Sequence, residues 1–175
     1  MAGKPLNLKK IYVVDTSYLV DLFKIGNYSD DAAQKIKNRF IHAEKAGDLI
    51  FVPLPCIYEL GNHIADVRDG ARRRELAYKV SCFIAKCITE NKPCSITPAT
   101  GTEQLPDLWD KFATDYIYYA KEKGESIGLV DAAVIYEAKR VKEEYKRRIS
   151  KVHIWTRDET MKPHEPDKEP NPFIN

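Results

Sequence analysis

Residues 11–14, Ile-Tyr-Val-Val, are β-branched or aromatic with no turn residue among them, and Asp15 closes the run. A segment of that kind is apolar on both faces. It must be covered on both sides, which restricts the chain to a largely parallel sheet held between helices. Two further runs, "DLIFVPLP" (48–55) and "KVHIWT" (151–156), read as short buried strands, the first ended by its two prolines. "PCSITP" (93–98) reads as either another strand or an extended loop.

Helical patterns lie between these runs. Residues 29–46 have Ser29, Asp30 and Asp31 at the start, Ile36, Phe40 and Ala43 on one apolar face, and Gly47 as the stop. Residues 56–70 align Ile57, Leu60 and Ile64, and residues 71–90 align Leu76, Val80, Phe83, Ile84 and Cys87. Residues 108–123 carry Trp109, Phe112, Tyr116 and Tyr119 at helical spacing, a stripe that reads as core packing in preference to a base-stacking platform, with Gly124 ending it. Residues 128–148 form the longest helix. Short strands alternating with helices predict an α/β domain with a parallel sheet.

Length and charge exclude little else. A chain of 175 residues can bury a core without staples, and a net charge of +2 neither announces nor excludes nucleic acid. No apolar stretch reaches membrane-span length and "MAGKPLNLKK" lacks the apolar core of a signal peptide, which predicts a cytoplasmic protein without a membrane partner. Cys82 and Cys87 are five apart, Cys94 follows at seven and Cys56 is remote, so no C-x-x-C pair exists, and the four histidines are scattered. That pattern argues for reduced, mostly buried thiols and against zinc. Cys56 and His63 as nucleophile and base have no supporting spacing.

The informative residues are acids at element junctions. Asp15 follows the first strand and Asp158, in "WTRDET", follows the last; Glu59 and Asp131 lie in the first turns of helices that follow connections. Asp15 alone is also explained as a cap of the next helix. In a parallel sheet, however, the strand ends share one edge, and the four side chains can converge there. Carboxylates gathered without local basic partners repel one another and call for a divalent cation, and hard oxygen donors select Mg²⁺ or Mn²⁺. Phosphoryl transfer is the chemistry such sites serve. A phosphatase with a nucleophilic aspartate would want D-x-D after the first strand, and "DTSYL" lacks it. Asp21, Asp110 and Asp115 are further acids; Asp21 is expected to face solvent.

"VVDTSYLVDL", "PLPCIYELGN", "GLVDAAVI" and "WTRDETM" occur in the order, and at about the separations, of the motifs of PIN-domain nucleases, and the resemblance covers residues 11 to 161. It implies an α/β/α sandwich with a short parallel sheet over residues 1–160; separately, the proline-rich composition of residues 161–175 predicts a tail that runs extended or is partly disordered. The resemblance implies a Mg²⁺- or Mn²⁺-dependent endoribonuclease that hydrolyses RNA with a metal-activated water, like the toxins of VapC-type toxin–antitoxin pairs or RNA-processing enzymes. By position, Asp15 and Asp131 would be the main metal ligands, with Glu59 and Asp158 completing the acidic pocket. Thr16, Ser17 and Thr156 would hydrogen-bond and orient the carboxylates. An antitoxin protein and a homodimer are the protein partners the resemblance allows.

The sequence departs from the family pattern at Gly128, where relatives often carry Ser or Thr three residues before the third acid. Glycine offers Asp131 no side-chain hydrogen bond. The segment 72–105 and the tail also exceed the compact toxin pattern. Residues 137–151 hold seven basic side chains against three acidic ones, a face that is either simply solvated or tracks phosphates. Arg72, Arg73 and Arg74 could grip phosphates too. The alternative from another class is a PIN-like RNA- or protein-binding module that does not cleave.

Overall fold

The computed structural model describes residues 9–116, 127–146 and 150–173. Four parallel strands, β1 (Lys10–Val14), β2 (Leu49–Pro53), β3 (Ser95–Thr97) and β4 (Lys151–Trp155), form one sheet in the order β3-β2-β1-β4. "PCSITP" therefore supplies a strand, paired with β2 through Phe51 opposite Ser95. The connections are helical: α1 (Thr16–Leu22), α2 (Asp30–Ala46), α3 (Leu54–Ala65), α4 (Gly70–Glu90), α5 (Leu105–Lys111) with a π-helical turn (Phe112–Tyr116), and α6 (Leu129–Tyr145).

The two faces of β1 explain its unbroken apolar composition. Ile11 and Val13 point to one face with Val152 and Ile154 of β4, all four without solvent exposure. Phe51, in register with Val13, meets Tyr145 of α6 on that side. Tyr12 points to the other face and stacks on Trp155 at 4.1 Å, and Phe40 of α2 meets Trp155 edge-on. The sheet is thus sandwiched between helical layers, a PIN-like α/β/α fold.

Local signals account for most boundaries. The Ser29 hydroxyl accepts from the Ala32 N–H to start α2, and Gly47 ends it in the left-handed region at φ 72°. The prolines in "VPLP" end the strand as expected and also open the next helix. Pro53 closes β2 as the N-cap of α3, and Pro55 lies in the first turn, where its missing N–H is not needed. The aromatic stripe is only partly core: Tyr116 is buried, whereas Trp109 is 49% exposed. Tyr119, Gly124 and Arg147–Arg148 lie outside the described residues.

Residues 161–173 pass along the outer edge of β4, beginning with a 3-10 turn at Lys162–His164. The Asp167 carboxylate accepts from the Val152 N–H at 2.7 Å and from Lys142 Nζ at 2.6 Å, and the Asp167 N–H returns to the Val152 carbonyl. The Glu165 carboxylate accepts from the Ile154 N–H and from Lys162. Acidic side chains thus satisfy strand donors that would otherwise invite another strand. Asp167→Ala removes the acceptor for two part-buried donors and is expected to lower stability by about 1–3 kcal/mol. Urea unfolding measures this, and an unchanged midpoint would mean that solvent replaces the carboxylate at no cost.

Candidate functional site

Every strand of a parallel sheet ends at the same edge, and the four acids singled out by sequence line one cleft there. The cleft, of about 480 Å³, is bounded by Asp15, Glu59, Asp131 and Asp158 together with Thr16, Ser17, Val20, Asp21, Asn27, His63 and Arg157.

Asp15 is both cap and cleft residue. Its Oδ2 accepts from the Ser17 N–H at 3.2 Å, the Ser17 hydroxyl at 2.6 Å and the Thr156 hydroxyl at 2.9 Å. Thr156 arrives from the end of β4, so the first and last strands are tied at the site. Its hydroxyl oxygen also accepts from the Asp158 N–H at 2.9 Å, and Asp158 Oδ1 accepts from the N–H and hydroxyl of Thr160. The Thr16 hydroxyl bonds none of the four carboxylates: that residue assists Asp15 through its backbone, and its side chain lies against the Cys56 thiol. Glu59 makes no hydrogen bond or ion pair among the described residues.

Asp131 is the third residue of α6, and its Oδ2 accepts from the Gly128 N–H at 2.7 Å. The backbone thus supplies support that a side chain at Gly128 does not. A Cβ there would stand 3.1 Å from Asp131 Oδ2, so glycine also leaves the carboxylate room.

Electrostatics register the convergence. Burial, then the negative charge of Asp15, pushes the Asp131 carboxyl up to about 7; Asp158 and Glu59 add to the rise and the Gly128 N–H opposes it. Burial raises Asp15 as well, against the hydrogen bonds from Ser17 and Thr156. The Cys56 thiol is raised well above its ordinary value by burial and by Asp15, which disfavours the nucleophilic thiolate.

The other acids separate clearly. Asp110 and Asp115 are exposed and line no part of the cleft. Asp21 does not face solvent: it is 3% exposed, lines the cleft, and pairs with Arg157 at 2.5 Å. The reason is that α1 packs against both α2 and α3, which leaves a seven-residue helix little free surface. Arg157 is the residue that sequence reading passed over. The acids were read as lacking basic neighbours, and only knowledge that Asp21 is buried would have asked for a cation.

The donor set suits a hard divalent cation. Asp15, Asp131 and Asp158 each spend one oxygen on the hydrogen bonds above, and the other carries none among the described residues. Yet no three Asp, Glu, His or Cys side chains among those residues stand close enough to hold a metal ion as placed. The carboxylates face one cleft without forming a closed shell.

Fold and site together define an α/β/α protein of PIN-like architecture with an acidic cleft at the carboxyl edge of its sheet. In agreement, the chain superimposes on a solved structure described as VapBC2 from Rickettsia felis bound to a DNA fragment from its promoter. The TM-score is 0.52 at 14% identity, covering 83% of this chain and 99% of the other. No protein-family model and no curated protein matches the sequence. No helix among the described residues is long and apolar enough to cross a membrane.

Proposed function

We propose that the chain is a PIN-type endoribonuclease that hydrolyses phosphodiester bonds with Mg²⁺ or Mn²⁺. One observation carries the reading: Asp15, Glu59, Asp131 and Asp158, from four different elements, line one cleft at the carboxyl edge of the sheet; burial first, and then the charge of the other acids, pushes the Asp131 carboxyl towards the neutral form. A fold without use for a cation gains nothing from gathering such charges. The likeness to the VapBC2 structure supports the architecture, and the resemblance of the four motifs supports the chemistry.

In this reading Asp15 and Asp131 would hold the cation, with Glu59 and Asp158 completing the pocket. When bound, the cation supplies charge neutralisation at the phosphate and acidifies water. The chain supplies orientation. Ser17 and Thr156 fix one oxygen of Asp15, Gly128 fixes one oxygen of Asp131 and Thr160 fixes one oxygen of Asp158, so the opposite oxygen of each is left for the cation. No side chain acts as nucleophile, in keeping with the raised Cys56 thiol. A cytoplasmic toxin of a toxin–antitoxin pair, silenced by an antitoxin over the cleft, is the role we propose from the motif resemblance, with the VapBC2 likeness supporting its fold.

Incubating total RNA with the protein in Mn²⁺ or Mg²⁺, in EDTA, and with Asp15→Ala tests this. Cutting is expected only for the wild type with metal. A wild type that neither cuts nor melts higher with Mn²⁺ would leave a non-catalytic binding module as the better reading.

A further inference from the structure

Among the described residues, Arg157 is the arginine or lysine that lines the acidic cleft. Its Nη1 donates to Asp21 at 2.5 Å, and Asp21 is 4% exposed while the arginine side chain is 40% exposed. Its guanidinium carbon also lies 5.3 Å from the ring centre of Phe173, which reaches the site from the tail. Its backbone N–H donates to the Ser17 hydroxyl, which in turn donates to Asp15. Among the described residues the guanidinium makes no other hydrogen bond.

A guanidinium has five N–H donors in a planar fork. Asp21 holds one end, Phe173 covers the plane and Ser17 ties the backbone to the carboxylate bed. The remaining donors stay free at the mouth of the cleft. If neutralising Asp21 were the whole purpose, a cation buried against it would suffice, with no need for an exposed fork on the wall of the cleft. Carboxylates alone repel a polyanion, and a fixed cation at the rim offsets that repulsion where the strand enters.

We infer that Arg157, clamped by Asp21 and Phe173, is the substrate-binding residue that grips a phosphate of single-stranded RNA next to the bond cut in the Asp15–Asp131 cleft. The inference rests on the nuclease reading for its substrate, but its binding step can be measured without cleavage. Arg and phosphate form paired, charge-assisted hydrogen bonds. Asp21 and Phe173 act as positioning residues, because they set the guanidinium without touching the strand.

The test uses a labelled single-stranded RNA of mixed sequence with the full chain in Mn²⁺. Cleavage kinetics are read alongside fluorescence anisotropy of binding across a salt series. Arg157→Gln is expected to raise KM and Kd about tenfold with kcat nearly unchanged, and to reduce the salt slope by about 0.7, one single-strand phosphate contact. Arg157→Lys should recover part of the loss and all of the slope. Phe173→Ala should raise KM about threefold, the scale of a cation–π contact. Because Arg157→Gln leaves the buried Asp21 carboxylate without its partner, a lower melting temperature is expected for it; a wild-type circular dichroism spectrum and a cooperative transition well above the assay temperature would show that the variants fold.

Wild-type cleavage with an unaltered KM and salt slope in Arg157→Gln would overturn the inference and leave the nuclease reading standing. A wild type that binds without cutting, and loses that binding in Arg157→Gln, would uphold the inference while the nuclease reading falls. Absence of both cutting and binding would overturn both.

Discussion

Asp131→Asn should lower RNA cleavage by roughly a thousandfold, the equivalent of about 4 kcal/mol of transition-state stabilisation, and should make the metal-free protein more stable. The two effects have opposite sign for one reason. An asparagine amide oxygen still accepts from the Gly128 N–H, so the start of α6 keeps its cap. What disappears is a negative charge beside Asp15, Asp158 and Glu59, which hurts the fold without metal and serves the reaction with it. Single-turnover cleavage in Mn²⁺ and thermal melting in EDTA at pH 8 measure the pair. Full activity in this variant, or a lower melting temperature in EDTA, would remove Asp131 from the site.

The second large effect is the pH dependence of stability without metal. The Asp131 carboxyl is raised from 3.8 to about 7 in the folded protein. Below pH 3.8 both folded and unfolded chains hold the proton. Between that value and about 7 the unfolded chain has released it and the folded chain keeps it. Stability from this group is therefore fully present in acid, falls as the pH rises through that window, and levels off above it. The shift corresponds to at most about 4 kcal/mol. Solvent at the open side of the cleft screens this to roughly 2 kcal/mol, or a drop of about 5 °C in Tm. The melting difference between Asp131→Asn and wild type, in EDTA from pH 4 to 8, isolates this group. It should grow with pH and then flatten, while saturating Mn²⁺ should erase or reverse it above pH 7. A difference that stays constant with pH would mean that Asp131 ionises freely in the metal-free fold.

Residues with one dominant local demand were readable in the sequence. "IYVV" could only be a strand covered on both sides, and Ser29 and Gly47 mark the ends of α2 because each satisfies orphan backbone groups in a way few residues can. Asp15, Glu59, Asp131 and Asp158 could be gathered into one cleft because the sheet is parallel, which its strand composition dictates. Asp21 could not be placed. Six residues after Asp15 on a short helix, it is buried by α2 and α3 arriving from elsewhere in the chain, and no periodicity within seven residues reports that. Arg157 was hidden for the same reason, since it answers a burial invisible in sequence. The prolines of "VPLP" were ambiguous because the same missing N–H that ends a strand is tolerated in the first turn of a helix. Gly128 looked like a missing ligand-orienting side chain, whereas its backbone does that work.

The tie between Asp15 and Thr156 spans 141 positions in the chain, and it joins two adjacent strands. During synthesis, β1 emerges early and then waits for nearly all the remaining residues before β4 can pair with it. Sheet pairings so far apart close late and slowly. Asp158 and the Thr156 hydroxyl that holds Asp15 therefore join the cleft last, after the elements that carry Asp15, Glu59 and Asp131. A ribosome making this protein would carry a site short of its fourth acid and of the Thr156 tie until the last strand has left the exit tunnel.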